Sequence, residues 1–327
     1  MRLNYTIELS MTLDSERFYQ LLDRVHSKSE YDDSDKYVDQ TLVPKGILVT
    51  YRDSTYKKKI RLNVNLNLLL DADEPCQDNS QKLIRKLEKH IGSYFGSACA
   101  LDDFDLSKMS LTTDINVGRK KAGDYIQVLK RIGRVKGFSP LRDDEISEDI
   151  GFFLTGNSNG LAFRIYDLER HLKNQLDESD YGRKHLKEMI GKSEGLLRAD
   201  VRLVKASAIR ALTSELVTSD QISDLCGKGQ KIFLDIFLWV VPFGHFYKKE
   251  QAVKIICAEV KDPKIRRRML NLITLVPEKK SLLLAQKALN YRRLDKVMEE
   301  FRDIELSPVT ISKRHDINKL DNLYKFM

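Results

Sequence analysis

Leu3, Tyr5, Ile7, Leu9, Met11 and Leu13 are apolar, and every residue between them is polar. Residues two apart share one face of a strand. This stretch therefore dictates a strand with one dry face and one wet face, and a sheet whose dry side must be covered. Phe18, Leu21, Leu22 and Val25 follow at helical spacing, with Asp14 placed as the N-cap. Ile47 to Tyr51 and Lys59 to Leu70 read as two more strands, and Leu83, Ile84, Leu87, Ile91 and Phe95 as a helix. The pattern is βαββα.

It then repeats. Met109, Leu111, Thr113, Ile115 and Val117 make a strand face, and Ile126, Leu129 and Ile132 a helix. Gly151 to Thr155 and Gly160 to Asp167 read as a hairpin across Gly156-Asn157-Ser158-Asn159. Residues 181–193 read as a helix with Met189 and Ile190 inward, and Leu197 to Val204 as a closing strand. The expected fold class is α+β: tandem ferredoxin-like βαββα units, 1–100 and 101–213, with antiparallel sheets open on one face. From Ser214 the spacing becomes helical, punctuated by Pro242, Pro263, Pro277 and Pro308, so 214–327 is expected to be an all-α basic region.

Composition narrows the classes. With 42% hydrophobic and 32% charged residues among 327, the chain is neither disordered nor collagen-like. Its longest apolar stretch, Ile232 to Phe243, is broken by Asp235 and Pro242 and falls short of the ~20 residues a membrane helix needs. No signal peptide precedes the first strand, and the four cysteines lack the spacing of a disulfide framework or zinc site. A reducing cytoplasm is expected. The net charge of +8 is uneven, with 14 basic against 5 acidic residues between Gly244 and Lys296. One sign of charge on one segment points to a polyanionic partner, nucleic acid before membrane. Arg198, Lys248, Lys249, Lys264, Arg266, Arg267, Arg268, Arg292 and Arg293 are the candidate DNA contacts, and the pattern around Ala288 to Phe301 allows a helix-turn-helix.

The wet face carries the candidate chemistry. Alternation turns Ser110, Thr112, Asp114 and Asn116 outward, with Arg164 and Tyr166, and with Arg198, Asp200 and Arg202. Between Lys59 and Leu70 the outward set is Arg61, Asn63, Asn65 and Asn67. A tyrosine can attack a phosphodiester and become linked to it. Carboxylates can hold a divalent cation that polarises the phosphate. Arginines can hold the flanking phosphates through paired hydrogen bonds. The alternative is a non-catalytic nucleic-acid-binding protein using the open face and the basic region.

Gly160-Leu-Ala-Phe-Arg-Ile-Tyr166-Asp-Leu-Glu-Arg-His-Leu resembles the tyrosine segment of the filamentous-phage gene II family of phage and plasmid replication initiators. Leu196-Leu-Arg-Ala-Asp200-Val-Arg202-Leu resembles its following strand, and Met109-Ser-Leu-Thr-Thr-Asp114-Ile its earlier strand ending in aspartate. Order and approximate spacing agree over residues 100–215. The resemblance implies rolling-circle replication initiation, in which a tyrosine nicks one origin strand, frees a 3′-hydroxyl for the polymerase, and later recloses the displaced strand. Tyr166 falls on the family's nucleophile, with Arg164 and Arg202 as catalytic companions. Asp114 and Asp200 fall on its acidic positions, implying Mg²⁺ or Mn²⁺. The implied partners are double-stranded origin DNA, displaced single-stranded DNA, and a host helicase and polymerase. Three features depart from the family: Asp200 replaces its usual glutamate, Leu168 stands where many members have lysine, and its Gly-x-Asn signature is not evident between Leu66 and Cys76. Either Arg164 or Arg170 would supply the missing cation, or the role is absent.

Overall fold

The computed structural model describes residues 1–23, 29–30, 35–70, 75–141, 146–178, 183–213 and 217–327. In chain order the first half runs β1 (Asn4–Leu13), α1 (Ser15–Leu22), β2 (Ser29–Glu30), β3 (Lys36–Asp39), β4 (Ile47–Asp53), β5 (Lys58–Asn65), α2 (Leu66–Leu69) and α3 (Ser80–Phe95). The second runs β6 (Asp105–Asn116), α4 (Ala122–Lys130), β7 (Phe138–Pro140), β8 (Gly151–Gly156), β9 (Leu161–Asp167), α5 (Leu168–Glu178), α6 (Arg183–Ser193), β10 (Leu196–Leu203) and α7 (Ala206–Leu212). Then come α8 (Thr218–Val240), β11 (Phe246–Tyr247), α9 (Lys249–Glu259), α10 (Pro263–Lys279), α11 (Leu282–Leu289), α12 (Leu294–Asp303) and β12 (Lys319–Leu320).

The fold is α+β, built on one large antiparallel sheet in the order β2-β3-β4-β5-β1-β6-β10-β9-β8-β7. The two halves were expected to form separate sheets. They form one, because β1 pairs with β6 from Asn4↔Thr112 to Ser10↔Asp105. The alternating residues of β1 behave as their pattern demands: Tyr5, Ile7, Leu9 and Met11 are buried on the dry face. Asp14 accepts from the Arg17 backbone N–H at 2.8 Å, as an N-cap should. In the β8–β9 turn the Asn159 side chain accepts from Leu161 N–H, and Gly160 takes φ +65°.

Three expectations are corrected. The strand expected to run to Leu70 ends at Asn65, whose side chain accepts from Asn67 N–H and starts α2. Asn67 therefore leaves the wet face. Its amide accepts from Tyr5 N–H at 2.7 Å and donates to Leu3 C=O, extending the ladder beside β1. Second, the wet face is not open throughout. The hairpin of α5 and α6 folds back over its β8–β9 end, where Phe153, Tyr166, Leu168 and Leu172 form a small second core with Leu186, Met189 and Ile190. Apolar side chains at face positions Phe153 and Tyr166 need that cover. Third, the C-terminal region is not purely helical: Phe246 and Tyr247 pair with Leu320 and Lys319 as a short ladder.

The dry face is filled by helices, above all α8. Its Leu225, Cys226, Phe233 and Phe237 are fully buried, and Phe237 meets Phe163 of β9 at 5.8 Å. The chain's last segment then ties the C-terminal helices to the sheet half. Tyr125 of α4 donates to Asp321 C=O at 2.9 Å, and Leu282 N–H to Ile132 C=O at 2.9 Å. Among the described residues, no helix is long and apolar enough to cross a membrane.

Candidate functional site

Three neighbouring strands carry the site. In the register of β9, β10 and β6, Tyr166 lies opposite Arg198, and Arg198 opposite Asp114. The next row is Arg164, Asp200 and Thr112, and the row after it Ala162, Arg202 and Ser110. The pleat puts all of these on the wet face, so segments roughly 30 to 50 residues apart in sequence deliver their polar groups to one patch. Arg164 stands directly opposite Asp200, one position along the strand from Tyr166's row.

The Asp114 carboxylate is clamped by Arg198 through two bonds, Nε to Oδ1 at 2.7 Å and Nη2 to Oδ2 at 2.9 Å. Such a fork holds both groups in one geometry. The pair is partly exposed, so it contributes about 0.2–1 kcal/mol. Asp200 is buried, at 3% exposure. It accepts from Thr112 Oγ1 at 3.1 Å and from Arg202 Nε. A carboxylate this deep in the protein requires its cation, because a lone buried charge costs several kcal/mol.

Tyr166 straddles two environments. Its ring belongs to the small second core, with Phe153 at 6.5 Å and the edge of His171 at 5.2 Å. Tyr166 stands directly opposite Arg198 on the wet face, and its phenol feels the Arg198 charge. Burial pushes the phenol up from its ordinary value, and Asp200 adds to that; Arg198 and Arg202 oppose the shift. The residue is 8% exposed. The arginine best placed to stabilise a phenolate is thus Arg198, which sequence spacing had assigned only to DNA contact. Arg170 is spent elsewhere, on Asp149 at 3.0 Å.

Two residues of the patch escaped the sequence reading. Thr112 was seen as outward but given no role, and its bond to Asp200 becomes visible only with the strand register. His171 lies in the tyrosine segment but was given no role. Its place beside Tyr166 follows from α5 starting at Leu168, so that one helical turn brings the ring back over the strand. A second tyrosine for reclosure would be Tyr94 or Tyr181; Tyr94 is engaged by the fold, donating to the buried Asp39 at 2.6 Å, and Tyr181 lies outside the described residues.

The donor chemistry is of the kind a divalent metal takes, with both carboxylates paired to arginines in this structure. Asp114 and Asp200 occupy diagonal positions of the β6–β10 ladder, roughly 7 Å apart at the backbone. With Thr112 they offer hard oxygens. Mg²⁺ is commonly held by one or two carboxylates plus waters and substrate phosphate. Among the described residues no group of three His, Cys, Asp or Glu stands together, so phosphate and water would complete the shell. Metal entry requires the carboxylates to exchange part of their arginine pairing.

The basic C-terminal residues divide by environment. Arg266 donates to Val260 C=O at 2.8 Å and fixes the corner between α9 and α10. Arg268 stacks over Tyr291 at 4.8 Å, and Asn271 of the same helix donates to the Tyr291 hydroxyl. Lys264, Arg267, Arg292 and Arg293 are exposed, and Lys248 and Lys249 are half-buried at the start of α9. The Tyr291 contacts bring the α11–α12 turn, with Arg292 and Arg293, beside α10. Replacing Lys264, Arg267, Arg292 and Arg293 by glutamine should lower the log–log salt slope of duplex binding by about 2–4, at about 0.9 per phosphate contact. Affinity measured across a salt series checks this, and an unchanged slope removes the surface from DNA binding.

Comparison with protein-family models and with curated proteins finds no match to this chain.

Proposed function

We propose that the protein initiates rolling-circle DNA replication, nicking and reclosing one strand of an origin through Tyr166. The observation that carries this reading is the meeting of the Tyr166 hydroxyl, Arg198, Asp114 and Asp200 on three adjacent strands. In the cleavage step the Tyr166 oxygen attacks phosphorus, the 3′-oxygen leaves as a hydroxyl, and the 5′ end stays on the tyrosine. The phenol proton passes to solvent. Arg198 steadies the phenolate as that proton departs, and Arg202 and Arg164 hold phosphate oxygens. Mg²⁺ or Mn²⁺ on Asp114 and Asp200 would supply Lewis-acid stabilisation of charge on the phosphate. Reclosure reverses the same bonds, so one site serves both steps.

The reading assigns 1–213 to catalysis, with duplex origin DNA gripped by 214–327 and the displaced single strand on the sheet. Host helicase and polymerase act downstream, in the cytoplasm. The strand order β4-β5-β1-β6 supports a ferredoxin-like first unit that takes β6 as its fourth strand. In the second half β10 lies between β6 and β9, so the repeat is only approximate.

The test is conversion of supercoiled to open-circular plasmid with and without Mg²⁺ or Mn²⁺. Asp114→Asn and Asp200→Asn should each reduce nicking at least tenfold and raise the metal concentration needed, with little change in DNA affinity. Normal nicking by both at low metal would make the aspartates purely structural. The burial of the Tyr166 ring favours a second reading, a non-catalytic single-strand binder that uses the same face. That reading predicts DNA binding with no nicking under any metal.

A further inference from the structure

The wet face continues past the tyrosine patch, across β10, β6, β1, β5, β4 and β3. At its far end one cross-strand row reads Lys36, Arg52, Lys59 and Thr12, with each residue directly opposite the next. The neighbouring row is Thr50, Arg61 and Ser10. Three cations in direct cross-strand opposition, with a fourth on the diagonal, oppose the rule that like charges facing each other destabilise a sheet.

At Lys59 and Arg61 the nearby acids do not resolve the conflict. Glu8 acts on Lys59 and Arg61 through space, yet its carboxylate is engaged by Lys108 at 2.9 Å and by Ser107. Asp105 acts on Lys59 only at a distance. Arg61 buries its Nε without a hydrogen-bond partner among the described residues. Burial and Arg61 together hold the Lys59 ammonium below its ordinary value. A sheet that concentrates Arg52, Lys59 and Arg61 beside the hydroxyls of Ser10, Thr12 and Thr50 is built for an oxyanion. Ladder positions on this face from β4 to β10 hold no aromatic side chain, and the exposed Tyr56 lies off the ladder in the β4–β5 turn, so recognition on the sheet itself falls to phosphates.

We infer that Arg52, Lys59 and Arg61 form a remote phosphate-binding subsite for single-stranded DNA, four strands from Tyr166. This rests on the reading of the sheet face as the single-strand surface. From β5 to β9 is about 19 Å across the sheet, at about 4.8 Å per strand. The register displaces the two sites along the strands as well. A short oligonucleotide at Tyr166 therefore misses the cluster, whereas a long one reaches it. The subsite adds affinity without reading sequence, and it anchors the strand that leads to the cleavage patch.

Arg52→Glu discriminates, because it places an acid between Lys36 and Lys59. Relief of like-charge opposition should leave the melting temperature equal or higher. Affinity for a roughly 24-nucleotide strand should fall at least tenfold, and that for a roughly 6-nucleotide strand should not change. Lys59→Gln with Arg61→Gln should give the same contrast and lower the salt slope of the long strand by about 1–2. Binding is read by fluorescence anisotropy with an unlabelled competitor, and cleavage of the same strands is scored separately. Equal affinity losses for both lengths, or no loss with either variant folded, overturn the subsite. Length-dependent loss without any strand cleavage upholds the subsite and instead removes the nicking reading.

Discussion

Tyr166→Phe should leave the fold intact and lower strand cleavage by more than about a thousandfold, the scale of losing a nucleophile. The ring is what the second core uses: it packs with Phe153 and His171, and phenylalanine keeps both contacts. Only the hydroxyl is lost, together with its electrostatic interaction with Arg198. Because Arg198 remains clamped by both Asp114 oxygens, its position should hold, and stability should change by less than about 1 kcal/mol. Single-strand affinity should likewise stay within a few-fold. The measurement is plasmid relaxation beside oligonucleotide binding and thermal melting of the same preparation. A Phe variant that nicks at the normal rate would transfer the nucleophile elsewhere. One that melts early would mean that the hydroxyl serves the fold rather than the phosphate.

The same tyrosine shows what the sequence could and could not convey. Alternation along Leu161 to Asp167 was enough to place Arg164 and Tyr166 on the face opposite Phe163 and Ile165, and the structure agrees. Strict period-two spacing is a local property, so β1, β6, β9 and β10 were all legible. Nothing local says which strands become neighbours. That β10 inserts between β6 and β9, and so brings Arg198 between Tyr166 and Asp114, is decided by long-range pairing. The cover by α5 and α6 was hidden for a related reason. Leu168, Leu172, Met189 and Ile190 announce apolar helical stripes, but a stripe does not state which face of a sheet it will meet. The early end of β5 at Asn65 was obscured because Leu66, Leu69 and Leu70 keep the apolar run going after an asparagine cap has turned the chain.

Phe233→Ala should destabilise the whole molecule by about 3–5 kcal/mol, the usual cost of emptying a buried aromatic site. Sequence periodicity put α8 at the head of a separate basic region. In the structure it belongs to the sheet's core, with Phe233 fully buried and stacked on Phe237 at 5.8 Å. Gly229 explains how close the helix comes. A Cβ there would lie 2.6 Å from the Cε1 and hydroxyl of Tyr5 on β1, so only glycine lets α8 cross that strand. The Tyr5 hydroxyl in turn reaches Cys226 C=O at 3.4 Å, and burial raises its phenol well above the ordinary value. Gly229→Val should therefore also be strongly destabilising, through overpacking against the buried Tyr5 ring. A total stability of roughly 5–15 kcal/mol leaves either variant marginal. Both should lose sheet and helix signals together in one denaturant transition, because α8 and β1 share the same core. A chain ending near Ser219 should fail to fold for the same reason. Nicking activity in such a fragment is no test of the basic region, which is better probed by neutralising its charges in the full chain. If Phe233→Ala instead melted the C-terminal helices alone and left the sheet standing, α8 would be a detachable cover, and a boundary near residue 214 would mark a true domain edge.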